Sequence, residues 1–431
     1  MGVARQFGHQ TFSSLRVRNY RLYFIGQAIS LSGTWMQSIG QAWLVLQLTG
    51  SGTALGTVSA MQFLPILFLG PWGGVIADRF PKQKILYGTQ TAAGVLALVL
   101  GGLVATGQIR LWMVYVLALG LGLVNTIDNP TRQTFVVEMV GHDGLPNAVA
   151  LNSAEINLAR VIGPAIGGGL IAALGLAPCF ILNGLSYGAV LVVLHMMRPS
   201  ELHPAPRMQR ARGQVLEGLR YVRSSPVLRT TLLMMALIGM LAYEFSVSLP
   251  LLAQFTFGGD ASSYAALTAS MGAGSVIGGM FIASRRGVSP RMLPRAALLF
   301  GVVILGVAIA PSLPLAMAAL VLVGLFSINF TSLANIVIQL TSPAAMRGRV
   351  MALWTVAVMG STPIGGPVVG WIGEYVGPRW ALAVGGLAAI AAAALGAWML
   401  GEHGRAPTSE PAAATPPAPP GDQQAAAKRV A

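Results

Sequence analysis

The sequence predicts an all-α membrane protein of about twelve transmembrane helices, with both ends on the cytoplasmic side. Three observations carry this. Only 9% of the 431 residues are charged and 54% are hydrophobic, whereas a soluble domain carries roughly 25% charged residues. Apolar runs recur that are long enough to cross a hydrocarbon core of ~30 Å. Finally, the basic residues gather in alternate connections between those runs.

In order, the runs fall near 20–47, 53–77, 85–106, 111–130, 146–174, 178–197, 228–253, 262–283, 296–310, 314–340, 350–375 and 380–400. Spans 9 and 10 are divided only by Pro311-Ser312-Leu313. Residues 1–19 are polar and basic and lack the apolar centre of a cleavable signal, so span 1 is expected to act as an uncleaved insertion signal. A bundle of six spans over 20–197 precedes a basic cytoplasmic linker, 198–227. A second bundle of six spans occupies 228–400. The tail, 401–431, is rich in Pro and Ala and is expected to be disordered.

Orientation follows from the excess of Lys and Arg on the cytoplasmic side. Of the 27 Lys and Arg residues, only Arg110 and Arg379 fall on outer connections, and Arg160 falls within a span. The net charge of +14 therefore reads as membrane anchoring. A nucleic-acid surface is not expected, because no basic stretch is interleaved with aromatics. Cys179 is the only cysteine, which excludes an intramolecular disulfide and a cysteine-based metal site.

A repeat underlies the six-plus-six division. Gly120-Leu121-Gly122-Leu123-Val124-Asn125 aligns with Gly324-Leu325-Phe326-Ser327-Ile328-Asn329. About the same offset aligns Gly163-Pro164-Ala165-Ile166-Gly167 with Gly366-Pro367-Val368-Val369-Gly370.

Polar side chains inside a span are costly in lipid and should face the bundle interior or water. Span 1 places Gln27, Ser30, Thr34, Gln37 and Gln41 on one helical face. Span 10 does so with Ser332, Asn335 and Gln339, and Asn329 lies one turn earlier. Span 4 carries Asn125, Asp128 and Arg132, with a kink expected at Asn129-Pro130. Span 7 carries Glu244 and Ser248. These positions predict a water-filled cavity lined by spans 1, 4, 7 and 10, while the nearly apolar spans 9 and 12 face lipid. The competing reading is that such residues only join helices by hydrogen bonds, which suits Asn183 and Ser186.

Arg160 lies 14 residues beyond Pro146, which is ~21 Å along the helix and near mid-membrane. Glu155 sits about 140° around the helix from it, so the two should not pair. Asp128 is the expected partner by depth. Asp128, Glu155, Arg160 and Glu244 are the candidate coupling residues, with Glu244 or Asp128 as proton carrier; the alternative is a fixed structural ion pair. Gly163, Pro164, Gly167 and Gly168 strip side chains from span 5, allowing close helix packing or a pliable seam.

Gly74-Val75-Ile76-Ala77-Asp78-Arg79-Phe80-Pro81-Lys82-Gln83-Lys84, between spans 2 and 3, resembles the loop signature of the major facilitator superfamily. Pro81 replaces its second glycine. A worn copy runs from Gly279 to Arg286, with Ser284 in place of the Asp. The resemblance implies a major facilitator fold and a cytoplasmic gate at Gly74, Asp78 and Arg79. The Gly163-Pro164…Gly167-Gly168 stretch resembles the drug:proton antiporters of that superfamily. Asp128-Asn129-Pro130-Thr131-Arg132-Gln133, Leu145-Pro146-Asn147-Ala148 and Arg347-Gly348-Arg349-Val350 resemble its enterobactin-exporter subgroup. The superfamily's usual membrane arginine is missing from span 4, so the proton relay assigned to it does not carry over.

The expected function is proton-coupled export of a small organic molecule, a siderophore or a drug-like compound, from a bacterial cytoplasmic membrane. The rivals are an uptake permease of the same fold and a transport-inactive sensor or scaffold. The expected partners are substrate, protons and lipid, with the chain a monomer. No cofactor, metal site or enzymatic activity is expected; energy would come from the proton motive force. No Gly-x-x-x-x-Gly-Lys-Ser/Thr loop is present to bind ATP.

Overall fold

The computed structural model describes residues 13–203, 214–283 and 287–403. All regular structure among them is helical. After a 3-10 turn at Ser13–Arg16 come α1 (Arg18–Thr49), α2 (Gly52–Arg79) and α3 (Lys82–Ala105). The helical stretch Leu111–Leu174 is broken at Gly141, whose φ of 70° only glycine adopts readily. It therefore forms two rods, α4 (Leu111–Gly141) and α5 (Asp143–Leu174). Then follow α6 (Ala177–Met196), α7 (Gln214–Ser224), α8 (Pro226–Leu241) and α9 (Phe245–Leu251), which runs into a π turn at Leu252–Thr256. The chain continues through α10 (Ala261–Ala283), α11 (Met292–Ala308), α12 (Leu313–Thr341), α13 (Ala344–Met359), α14 (Thr362–Tyr375) and α15 (Pro378–His403).

Ten helical segments of the described chain are long and apolar enough to cross a membrane, taking α8 with α9 and its π turn, and α13 with α14, as single rods. By length and apolarity α1 and α11 stand outside that set. In chain order they occupy the two remaining places of the expected twelve. α1 has the length, at 32 residues, but also the polar face noted above; α11 is apolar but shorter.

Three local expectations change. α4 stays helical through Pro130 and ends eleven residues later, at Gly141. Span 7 breaks at Glu244, where φ −81° and ψ 42° leave the helical region between α8 and α9. The linker contains α7, where Glu217 pairs with Arg349 of α13 at 2.5 Å and Val222 is buried. The remaining linker residues, 204–213, lie outside the described residues, as do Ser284 to Arg286 and 404–431 of the tail.

Within the first group of helices, α1 packs on α5 and α6, and α3 on α6. The α2–α4 contact uses bare backbone: a methyl at Gly73 would meet the Thr126 carbonyl, and one at Gly122 the Gln62 carbonyl. The second group repeats this construction. A methyl at Gly274 would strike the Val321 carbonyl, and one at Gly278 the Leu325 carbonyl, so α10 lies on α12 as α2 lies on α4. Lipid offers no hydrophobic drive between helices, so small residues that let backbones approach are what such contacts rest on.

The same device joins the two groups along two seams. At one, Gly52 and Gly56 of α2 meet the carbonyls of Gly370 and Gly366 on α14. At the other, Gly168 of α5 meets Ala265 of α10 at 2.6 Å from a built Cβ. The Gly-Pro stretches aligned in the sequence, Gly163 to Gly167 and Gly366 to Gly370, thus lie on the helices that form the two seams. Glu374, at the end of α14, accepts hydrogen bonds across the first seam from Ser51 Oγ at 2.5 Å and Thr53 N at 2.9 Å. These contacts lie at the end of the bundle opposite Asp78.

Candidate functional site

A buried polar cluster occupies the first group of helices. Asp128 is 2% exposed. Its Oδ1 accepts from Thr89 Oγ1 at 2.6 Å and Gln90 Nε2 at 2.8 Å, both on α3. Its Oδ2 pairs with Arg132 Nε one turn along α4, and Arg132 Nη1 donates to Gln27 of α1. The pairing is possible because α4 continues through Pro130, which puts residues four apart on one face.

The expected pairing of Asp128 with Arg160 is therefore corrected. Three donors already satisfy Asp128 from α3 and α4. Arg132, expected on span 4 beyond a kink at Asn129-Pro130, lies on the unbroken α4 and supplies the countercharge. The four-residue spacing from Asp128 was the signal in the sequence. Glu155 of α5 is 6% exposed and its Oε1 has no hydrogen-bond partner; it interacts electrostatically with Arg132.

The polar face of α1 also points differently from expectation. Gln27, Ser30, Gln37 and Gln41 are buried. Gln27 meets Arg132, and Gln37 accepts from Asn183 of α6 at 2.7 Å. Gln37 and Gln41 border a small void with Ala93, Leu96 and Leu100 of α3 and Leu117 and Leu121 of α4. This face looks into the first group of helices and not between the groups. Thr34 is exposed, with its hydroxyl donating to the Ser30 carbonyl at 2.9 Å.

Asn125 is half-buried, and Asn329 is 5% exposed. Ser332 and Asn335 of α12 are half-buried, and Asn335 accepts from Gln339 at 2.5 Å. The expected lipid faces of α11 and α15 carry exposed Leu298, Val302, Leu387 and Trp398, while their opposite sides pack on each other.

Glu244 sits in the break of span 7, 3% exposed, with Oε1 unpartnered. Thr362 at the start of α14 reaches it. A methyl on Gly365 would lie 3.2 Å from Oε1, and one on Gly366 3.5 Å from Oε2. Glu244 therefore lies directly behind the glycine that meets Gly56 at the α2–α14 seam. Beside it, Ser246 and Ser59 bring their hydroxyls to 3.4 Å across the two groups.

Arg160 is half-buried near the second seam. Its guanidinium carbon lies 5.0 Å from the centre of the Trp35 ring on α1. Its carbonyl is 3.0 Å from a Cβ built on Gly272 of α10. Gly163 and Gly167 press on Ser32, Trp35 and Met36 of α1, with Pro164 buried between them. At the opposite end, Gly74 and Asp78 are half-buried and Arg79, the last residue of α2, is exposed. Lys82 of the same loop pairs with Glu138 of α4 at 2.5 Å.

Comparison with known proteins agrees with this architecture. A family model described as transmembrane secretion effector matches residues 9–423. The staphyloferrin A transporter of Staphylococcus aureus is 23% identical over 77% of this chain and 84% of its own. The multidrug efflux pump Tap of Mycolicibacterium fortuitum is 28% identical over 80% and 87%. The enterobactin exporter EntS of Shigella flexneri is 26% identical over 83% and 86%. Among solved structures, the nucleoside transporter NupG superposes with a TM-score of 0.71 at 11% identity, over 90% of this chain and 99% of its own. The chain belongs to the transmembrane secretion effector family of the major facilitator superfamily and is a multi-pass membrane protein.

Proposed function

We propose that this protein exports a small organic molecule across the cytoplasmic membrane, driven by inward proton flow, through alternate opening of two rocking six-helix halves. The observation that carries the reading is the pair of glycine-lined seams between α2 and α14 and between α5 and α10. Contacts made by bare backbone can part without unpacking interlocked side chains, as rigid-body rocking between repeats requires. The present arrangement is the state closed at the Ser51 end. Asp78 and Arg79 act at the other end as the gate that forms when the halves rock back. Twelve crossings, with both termini cytoplasmic, place Asp78 on the cytoplasmic side, following the distribution of basic residues.

Coupling is assigned to Glu155 and Glu244, one in each half. Each is a buried carboxyl with an oxygen free to carry a proton. Asp128 is assigned a structural part, because its oxygens are already committed to Thr89, Gln90 and Arg132. The names of the relatives, an enterobactin exporter and a multidrug efflux pump, support export.

Everted vesicles containing the full chain test the proposal. Energised vesicles should accumulate siderophores or amphipathic drugs, and collapse of the proton gradient should release them. Accumulation in right-side-out vesicles alone would identify an uptake permease.

A further inference from the structure

Arg160 differs from the other charges of the bundle interior in what surrounds it. Among the described residues it has no ion-pair partner, and its Nε is buried without a hydrogen bond. The elements around it offer no substitute. α1, α10 and α12 contain no acidic residue. Glu155 is about 140° around α5 from Arg160 and interacts electrostatically with Arg132. Glu244 is turned toward Thr362, Gly365 and Gly366 of α14.

What the site offers instead is aromatic. Trp35 of the first half lies under the guanidinium. Tyr243 of the second half is within electrostatic reach of it. Tyr243 is itself held in place by Thr331 Oγ1 at 2.6 Å and by donation to the Ser327 carbonyl at 3.1 Å. The guanidinium is half-buried and its Nε is shut off from water without an acceptor. The ring face attracts the cation but carries no countercharge, so the site is one anion short.

We propose that Arg160, with Trp35 and Tyr243, forms the recognition site for the transported molecule, and that this molecule is a small organic anion. It would present paired oxygens, as a carboxylate does, on an aromatic or conjugated frame. The planar guanidinium fork fits such a pair in two parallel hydrogen bonds. Trp35 from one half and Tyr243 from the other would hold the frame, so the ligand touches both bodies that rock. The assignment rests on the transporter reading and narrows its substrate class.

The test is binding of radiolabelled salicylate to the purified full chain in detergent, with benzyl alcohol and benzyltrimethylammonium as neutral and cationic competitors. The wild type should bind salicylate saturably, and neither competitor should displace it. R160Q should weaken binding about tenfold or more, the effect expected for losing a charged hydrogen-bonded pair. R160K should fall between, because it keeps the charge and loses the fork. Unchanged melting profiles in both variants would show that the loss is not one of folding.

No saturable binding to the wild type, equal binding to R160Q, or displacement by benzyltrimethylammonium would overturn the site. Everted vesicles separate this result from the broader reading. Proton-driven accumulation of a cationic dye, equal in wild type and R160Q, would retain the exporter and remove the anion site. Arg160-dependent salicylate binding without accumulation of any compound would retain the site and remove the exporter.

Discussion

Asp128 and Arg160 are both charges in the bundle interior, and the chain treats them oppositely. Asp128 receives hydrogen bonds from Thr89, Gln90 and Arg132, and Arg132 is in turn tied to Gln27. Arg160 has an aromatic ring beneath it and a buried Nε that donates to nothing in the described chain. A buried charge with all its partners is part of the scaffold. A half-buried charge whose Nε lacks an acceptor is a place that an arriving anion can complete. The same division separates Asp128 from Glu155 and Glu244, whose unpartnered oxygens stand in opposite halves.

Mutations at the satisfied and unsatisfied charges should therefore fail in different ways. The largest effect is expected from Asp128→Ala. It leaves the half-buried Arg132 without its countercharge; breaking a fully buried pair costs about 3–5 kcal/mol, and the partial exposure of Arg132 sets the loss at the lower end of that range. Detergent-solubilised protein should melt far earlier and lose its monodisperse elution. Native-like melting of this variant would remove the contrast between the two charges.

Glu244→Gln and Glu155→Gln sharpen it from the other side. Both should melt close to the wild type, since the amide keeps the shape of the group. Both should lose proton-driven accumulation in vesicles while retaining substrate exchange down a gradient. Full coupled transport in both variants would remove these residues from the proton path.

A smaller effect belongs to the Ser51 end. Glu374→Gln exchanges charge-assisted hydrogen bonds to Ser51 and the Thr53 N–H for neutral ones. The closed state should lose roughly 1 kcal/mol, enough to shift its population several-fold. Spin-label distances across the α2–α14 seam should show a larger open fraction. The experiment is simplified by Cys179, which is the only cysteine and is buried.

Much of this was legible in the sequence, and the failures have physical causes. The helical membrane fold followed from scarce charge and apolar runs. The Gly163-Pro164 stretch pointed to close packing because little else explains a helix stripped of side chains, while Gly366-Pro367 stood out only as its counterpart in the repeat. Arg160 stood out for its depth. The partner of Asp128 was missed because Pro130 suggested a broken helix, and only an unbroken one brings Arg132 alongside. The face of α1 shared by Gln27, Ser30, Gln37 and Gln41 was correctly grouped by its spacing, yet periodicity gives a face and not its direction. That face looks inward to α3, α4 and α6. Glu244 was readable as a buried acid, but the break at its own backbone and its position behind Gly366 arise from tertiary packing.

The central claim is that the seams open and close as the halves rock. Cysteines at Ser51 and Glu374 in a Cys179→Ala background, joined by a short thiol cross-linker that a reductant cleaves, test it most directly. The account predicts that cross-linked protein in everted vesicles stops transporting and that reduction restores transport. Undiminished transport by the fully cross-linked protein would contradict it.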